Sequence, residues 1–356
     1  MRHFLALLFV VLPNGAGADA PRVVTSIKPV YDLVRTVMAS VGEPELLLTQ
    51  NESVHHASLR PSRLRSLMAA DLVVSIGQNM EPWLAKGIEL QKPNAQKLVL
   101  ADLAGVHLLD IRQPATLASD EEQAQAALEK PEEPKVEEDA DFFEIEDNSL
   151  ESDLEDMANS ASDVEEAKIL AEISGDPLEP VEDVHEQGSG RDPHVWLDPR
   201  NSALFLDAIA DALIRIDPDH ADQYQTNAQE AKLTLADAVL GVKDRLVYLT
   251  DSRFIYNHDS FQYFENAFGL KSIGFLSTTD AKQVGARTIS GITAKIEFAP
   301  VICLIVDDSE SSRSAKSLFP DVETVSLDPM GRGLDPSASY PAALFLALSE
   351  GFAECD

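Results

Sequence analysis

The order of apolar and polar positions divides the chain into two blocks of alternating strands and helices. In the first block, short apolar runs predict buried strands at 22–27 (RVVTSI), 45–49 (ELLLT), 71–77 (DLVVSIG) and 97–103 (KLVLADL). In the second block, the corresponding runs lie at 253–258 (RFIYNH), 271–276 (KSIGFL), 301–306 (VICLIV) and 322–327 (VETVSL). Helical periodicity separates these runs, at 30–38, 61–70, 260–268, 281–297 and 340–352. Strands that alternate with helices predict an α/β fold with parallel sheets covered by helices.

Two longer helical patterns lie between the blocks. Apolar residues spaced by three and four run through 199–216, which ends before Pro218, and again through 219–247. A helix of about 30 residues spans about 45 Å, which is at least the width of one lobe. We therefore predict two parallel-sheet α/β lobes, at 19–217 and 251–356, joined by one long rigid helix at 218–250.

The first residues have the layout of a secretory signal peptide. Arg2 precedes an apolar run at 4–12, and small residues follow up to Ala18. No apolar run reaches the roughly 20 residues that a membrane span requires, and no cysteine stands at the predicted cleavage site to carry a lipid. We predict a signal peptide at 1–18 and a periplasmic protein that acts as a monomer without membrane insertion.

The net charge of −33 is concentrated in one segment. Residues 120–186 hold 26 Asp and Glu against three lysines, a net charge of −23, and few periodic apolar residues. We predict a disordered acidic insertion at about 118–189, within the N-terminal lobe. Because so negative a surface repels nucleic acid, we expect no nucleic-acid partner.

The chain has two cysteines, Cys303 and Cys355. In an exported protein the oxidising compartment favours a disulfide between them, which would join the last helix to a strand about fifty residues upstream. The alternative is a pair of separate buried thiols.

Four of the eight histidines stand where a ligand would bind. His55 and His56 follow one predicted strand and His258 ends another, and ligands of parallel sheets bind beyond the carboxyl ends of strands. His194 lies in RDPHVWLDP, where Pro193 and the Val-Trp-Leu run fix its backbone and shield it from water. Each histidine alone is more typical of a structural role. Three at loop ends of both lobes favour a metal site.

The remaining candidates are weaker. Asp328 and Asp307 each follow a predicted strand, although both also fit a turn or a solvated loop. His107 and His220 are predicted to be exposed and solvated, and His185 lies in the acidic segment.

Four segments together resemble the zinc-binding component of bacterial high-affinity zinc uptake ABC transporters, within the zinc/manganese class of solute-binding proteins. They are SVHHASLRPS (53–62), DPHVWLDP (192–199), YNHDSFQYFENAFGL (256–270) and SLDPMG (326–331). The resemblance implies the metal-type solute-binding protein fold, in which one long rigid helix joins two α/β lobes. It also implies zinc as the bound ion and an ABC transporter membrane permease as the partner.

Residue by residue, the resemblance implies that His55, His194 and His258 bind zinc. Asp328 falls where manganese-type and some zinc-type relatives supply a carboxylate, so the fourth contact is Asp328, water or His56. His185 is an accessory candidate, and the cysteines match the disulfide of close zinc-type members. Asp192, Asp198 and Asp259 are near enough in sequence to accept hydrogen bonds from the histidines.

Three imidazoles suit zinc, whereas manganese prefers carboxylate oxygens, so a manganese-binding homologue is the alternative within the same class. An exported zinc-dependent hydrolase is the alternative of another class, because three histidines and an open position also describe a catalytic zinc. No HExxH element is present, and we expect no enzyme. A third alternative makes the acidic segment the working part, as a low-affinity cation buffer or an adhesion module.

Overall fold

The computed structural model describes most of the chain outside the signal peptide and the acidic insertion. The described residues are 20–49, 52, 54, 57–112, 190–277, 285–298, 301–307, 311–335 and 339–355. The predicted signal peptide and insertion lie outside this part, and so do His55, His56 and His185.

The N-terminal lobe is built on a parallel sheet of four strands with the order β2-β1-β3-β4. Its strands are β1 (Val23–Thr25), β2 (Glu45–Leu46), β3 (Leu72–Ser75) and β4 (Gln96–Val99). Its helices are α1 (Lys28–Val37), α2 (Pro61–Ala69) and α3 (Ala85–Ile88). All four strands were predicted from apolar runs, and the two central strands, β1 and β3, are buried at every position, as expected for strands covered on both faces.

The C-terminal lobe repeats this arrangement, with a parallel sheet in the order β6-β5-β7-β8. Its strands are β5 (Phe254–His258), β6 (Ser272–Ser277), β7 (Cys303–Val306) and β8 (Thr324–Ser326). Its helices are α6 (Gln262–Phe268), α7 (Ala286–Phe298), α8 (Ser311–Leu318) and α9 (Ala342–Ala353). Cys303 and Cys355 form a disulfide, so the prediction of a bridge is confirmed and the alternative of two thiols is wrong.

Two long helices follow, α4 (Pro199–Ile216) in the N-terminal lobe and α5 (Ala221–Leu246), which connects the lobes. Asp198 caps α4 by accepting a hydrogen bond from the backbone N–H of Arg200 at 2.9 Å. The 26 residues of α5 pack against α1 and α4 on one side and against α6 and α9 on the other. The predicted long linking helix is therefore present, with a short 3₁₀ turn at each end.

One apolar core extends through both lobes. The inner faces of both sheets and both long helices contribute to it, from Val23 near the start to Cys355 at the end. The outer face of each sheet has a separate smaller core, so that Val24 and Val73 point outward while Val23 and Val74 point inward. This alternation follows the two-residue period of a strand.

Two short helices were not predicted. Helix α3 has four residues, and α8 begins at Ser311 in a stretch that also fits a solvated loop. Neither has enough apolar positions to show a helical period, so tertiary packing decides their structure. Among the residues that the structure describes, no helix combines the length and the apolar composition of a membrane span.

Candidate metal site

His194 is held rigidly at the end of the N-terminal lobe. Its ring Nδ1 lies 2.7 Å from Asp192 Oδ1, and its backbone N–H donates to the same oxygen at 3.0 Å. Its ring lies 5.4 Å from the ring of Trp196, in the 3₁₀ turn Val195–Leu197. Only 4% of His194 is exposed, which agrees with the shielded frame predicted from RDPHVWLDP.

His258 is held in a similar way by the C-terminal lobe. It is the last residue of β5, paired in register with Ser277 of β6, and it is 6% exposed. Its Nδ1 lies 3.3 Å from Oδ2 of Asp307, which directly follows β7. Asp307, considered from the sequence as a metal ligand, is therefore seen as a partner of a histidine ring.

The structure brings these two histidines together across the lobes. The centroids of the His194 and His258 rings are 5.1 Å apart, with the rings 70° from parallel. Within the described ranges, no group of three or more His, Cys, Asp or Glu side chains is placed to hold a metal ion.

The described residues around His55 are anchored on both sides. Trp83 Nε1 donates to the carbonyl oxygen of Val54 at 3.0 Å. Arg63 donates to the carbonyl oxygens of Leu47 at 2.7 Å and Ser58 at 2.8 Å, and it pairs with Glu52. These contacts hold the described residues on either side of His55 to the N-terminal lobe.

Asp328 lies in the turn after β8 and caps that turn. Its carboxylate accepts from the backbone N–H groups of Met330 at 3.1 Å and Gly333 at 3.0 Å. The turn is tied to the segment after His194, because Trp196 Nε1 donates to the carbonyl oxygen of Pro329 at 2.8 Å.

The other two candidate carboxylate partners, Asp198 and Asp259, contact side chains other than the predicted ligands. Asp198 Oδ2 lies 2.7 Å from His107 Nδ1 and accepts from Arg200, while Asp259 pairs with Arg112. The sequence indicated all three aspartates by proximity alone, and only Asp192 contacts the ring of a predicted ligand.

The prediction that His107 and His220 are solvated is wrong. His107 is half-buried between Asp198 and the ring of Tyr263, whose centroid is 6.1 Å away. His220 is also half-buried, with its Nδ1 2.8 Å from Asp217 Oδ2. His220 is bound by a sequence neighbour, whereas His107 is bound by residues that are distant along the chain, so a polar local context did not indicate exposure.

Comparison with known proteins agrees with this architecture. Residues 23–346 match the ZnuA family, described as zinc-uptake complex component A, periplasmic. The chain is 29% identical over 343 residues to the high-affinity zinc uptake system protein ZnuA of Paracoccus denitrificans, covering 96% of this chain and 93% of that protein. It is 28% identical over 356 residues to the protein of the same name from Brucella abortus, covering 99% and 97%.

Solved structures show the same fold. A Zn(II)-bound mutant variant of AdcAII from Streptococcus pneumoniae aligns with a TM-score of 0.65 at 18% identity, covering 94% of this chain and 98% of that one. The periplasmic zinc-binding protein TroA of Treponema pallidum aligns with a TM-score of 0.63 at 14% identity, covering 94% and 97%. With the match that spans residues 23–346, these findings show that the chain belongs to the ZnuA family of periplasmic zinc-uptake components.

Proposed function

We propose that this protein binds Zn²⁺ between its two lobes in the periplasm and delivers it to an ABC transporter membrane permease for import. The observation that carries the proposal is the pair of buried histidines, one from each lobe, whose rings meet with centroids 5.1 Å apart. The ZnuA family, to which the chain belongs, supports the same conclusion.

The spacing of the rings fits two ligands of one zinc ion. Zinc binds imidazole nitrogen at about 2.0–2.1 Å, and the ring nitrogen lies about 1.1 Å from the ring centre, so the ion is about 3.2 Å from each centroid. At a tetrahedral angle of about 109°, the two centroids are then about 5.2 Å apart. The observed 5.1 Å supports coordination of a single ion by both histidines.

The hydrogen bonds at the two rings support the same ligand atoms. Asp192 and Asp307 each accept from the Nδ1 of one ring, which directs Nε2 of that ring to the metal. A metal ligand must be neutral imidazole, and a carboxylate that accepts from Nδ1–H selects the tautomer that zinc requires.

We assign the third histidine ligand to His55. The described residues on both sides of it are anchored by Trp83 and Arg63, which supports a ligand at this position. Asp328 is our candidate for the fourth ligand, in competition with water or His56, and His185 is a candidate for an accessory contact. We also expect the protein to act as a monomer.

The competing functions make different demands on the site. Manganese would be favoured by more carboxylate oxygen, whereas three of the four proposed protein ligands are imidazoles. A hydrolase needs a general base beside the metal, whereas Asp192 and Asp307 are engaged in orienting the histidines. A cation buffer in the acidic segment would need neither histidine. We therefore propose a transport protein, without catalysis.

Replacement of the ligands tests the proposal. His55→Ala, His194→Ala and His258→Ala should each weaken zinc binding by more than about tenfold, since each removes one of three nitrogen ligands. His220→Ala is the matched control, because it removes an imidazole that is bound to Asp217 and should leave zinc binding unchanged. Calorimetric titration with zinc, and with zinc in competition with manganese, measures both affinity and choice of metal. Parent-like zinc binding by His194→Ala would contradict the proposal.

A further inference from the structure

The two chain segments that flank residues 113–189 are joined to each other beside the metal site. The backbone N–H of Ile111 donates to the carbonyl oxygen of Gly190 at 2.9 Å, and that of Asp192 donates to the carbonyl oxygen of Leu109 at 2.8 Å. Asp110 and Arg191 form the antiparallel bridge between them. We call these two segments, 109–112 and 190–192, the base.

The C-terminal lobe holds the base through a buried tyrosine of α6. The hydroxyl of Tyr263 accepts from the backbone N–H of Leu109 at 3.0 Å and donates to the carbonyl oxygen of Asp192 at 2.9 Å. One hydroxyl group thus contacts both strands of the base. Because Asp192 also orients His194, the support of that histidine depends in part on the C-terminal lobe.

Arg112, the last described residue of the first strand of the base, reaches into the C-terminal lobe. Its Nε donates to Asp259 Oδ2 at 3.1 Å, Nη2 donates to Asp259 Oδ1, and Nη1 donates to Glu265 Oε2 at 2.5 Å. Its guanidinium carbon lies 5.7 Å from the centre of the Phe275 ring. Asp259 and Glu265 are each about 5% exposed, so Arg112 supplies one positive charge that two buried carboxyl groups of the other lobe share.

This contact adjoins the second histidine. Asp259 directly follows His258 at the end of β5, and its backbone N–H donates to the carbonyl oxygen of Ser277 in β6 at 3.0 Å. A planar guanidinium that binds Asp259 through two nitrogens fixes the carboxylate in position as well as in charge. The base therefore contacts the supports of both histidines, at Asp192 for His194 and at Asp259 for His258.

We propose that Arg112 is a positioning residue for zinc retention, which holds the end of β5 against the base and so keeps His258 in register with His194. This inference rests on the proposed function. Arg112 touches neither histidine in the hydrogen bonds described above and acts through Asp259. Its loss would leave two buried carboxylates without their shared cation, and the end of β5 would rearrange to solvate them.

The direction of the change in the zinc dissociation rate distinguishes a positioning role of Arg112 from an effect of its charge alone. A positive charge repels a nearby divalent cation. Its removal would therefore, by Coulomb interaction alone, slow the release of zinc. Loss of a positioning contact predicts faster release instead. Arg112→Gln should raise the zinc dissociation rate by at least about tenfold, as expected for loss of an outer support of a metal ligand. Arg112→Lys, which keeps the charge but lacks the two-nitrogen geometry, should also release zinc faster, by a smaller factor.

The dissociation rate is measured by rapid mixing of zinc-loaded full-length protein with excess chelator. Arg191→Gln is the matched control, because it removes the same charge from the other strand of the base, where Arg191 makes an exposed ion pair with Asp110, and it should release zinc at the parent's rate. Circular dichroism of each metal-free variant shows whether it is folded. If Arg112→Gln does not fold, the zinc dissociation rate of Arg112→Lys decides the role of Arg112.

Unchanged or slower release from folded Arg112→Gln or Arg112→Lys overturns the role of Arg112, and so does equal acceleration by Arg191→Gln. Absence of tight zinc binding in the parent protein overturns the proposed function itself. The two failures are distinguishable because the second is measured on the parent before any variant is made.

Discussion

Among single residues, Glu81 is the buried acid on which three hydrogen bonds converge. Its carboxyl group accepts from Ser26 Oγ at 2.5 Å and from the backbone N–H groups of Ile76 at 3.1 Å and Gly77 at 2.7 Å. Burial raises the pKa of Glu81 to about 7, although these three hydrogen bonds act to lower it. Glu81 thus joins the carboxyl ends of β1 and β3 while close to the midpoint of its titration at neutral pH.

The raised pKa predicts a pH-dependent stability. Between about pH 4.5 and pH 7 the folded protein keeps a proton on Glu81 that the unfolded chain has lost. This contribution is therefore complete at low pH and is lost as the pH rises through about 7. The free energy of unfolding of the parent should fall relative to that of Glu81→Gln, by about 3 kcal/mol between about pH 5 and pH 8.

Urea unfolding of the metal-free parent and of metal-free Glu81→Gln, at each pH in this range, measures the difference between their free energies of unfolding. Groups that titrate alike in both proteins cancel in this difference. Glu89→Gln changes an exposed acid of the same lobe and should give a curve parallel to that of the parent. A Glu81→Gln curve that also runs parallel to the parent's would show that the carboxyl group stays ionised when buried.

Single residues differ in how well the sequence indicated them. His194 and His258 were identified because a rigid Pro and Trp frame and the end of a strand are visible in the sequence. Arg112 and Tyr263 were not identified, because their partners are about 150 positions away in the chain. Contacts of that separation depend on the docking of the two lobes, which no local pattern encodes.

Among the elements, the 3₁₀ turn at Pro82–Leu84 contacts the backbone beside a predicted ligand. Trp83, in a 3₁₀ turn before α3, donates to the carbonyl oxygen of Val54, which immediately precedes His55. Trp83→Phe keeps an aromatic ring but removes the donor. We expect zinc affinity to fall by about tenfold, since the backbone of Val54, next to His55, loses this hydrogen bond.

Calorimetric titration of Trp83→Phe with zinc measures this change. Tyr248→Phe, which removes a polar atom from an aromatic side chain that is 69% exposed, is the control and should bind zinc as the parent does. Unaltered affinity of Trp83→Phe would mean that the remaining anchors at Arg63 suffice to fix the loop.

The elements themselves were largely predictable. All eight strands of the described residues coincide with apolar runs, most clearly the central strands β1, β3, β5 and β7, which are buried at every position and therefore need apolar residues on both faces. The short helix α8 was missed because Ala315 is its one fully buried side chain among the positions described, which gives no period to detect. The structure of such an element is decided by packing against the neighbouring sheet, which its own short sequence does not indicate.

In the whole molecule, the hydrogen bonds of the base lead us to predict that the acidic segment can be removed without loss of the zinc site. Ile111 and Gly190 are already hydrogen-bonded, so a turn of a few residues should join the two strands in place of 113–189. We expect the shortened protein to fold and to keep one tight zinc site. Weak additional cation binding should disappear, since 26 carboxylates lie at 120–186.

Circular dichroism and calorimetric titration of the shortened protein, at low and at high salt, test this expectation. Replacement of His185 by Ala in the full-length chain is the companion variant, because it removes the one histidine of the acidic segment. Loss of the tight site in either protein would place a zinc ligand inside 113–189.

The core that both lobes share has a consequence for biosynthesis. Helix α9 packs against α5, and α5 in turn packs against α1 and α4 of the N-terminal lobe. The part of the core around α5 is therefore complete only when α9 has been synthesised and has packed there. Lobes with separate cores would fold one after the other during translation, whereas we expect these two to complete their folding together, once α9 has left the ribosome.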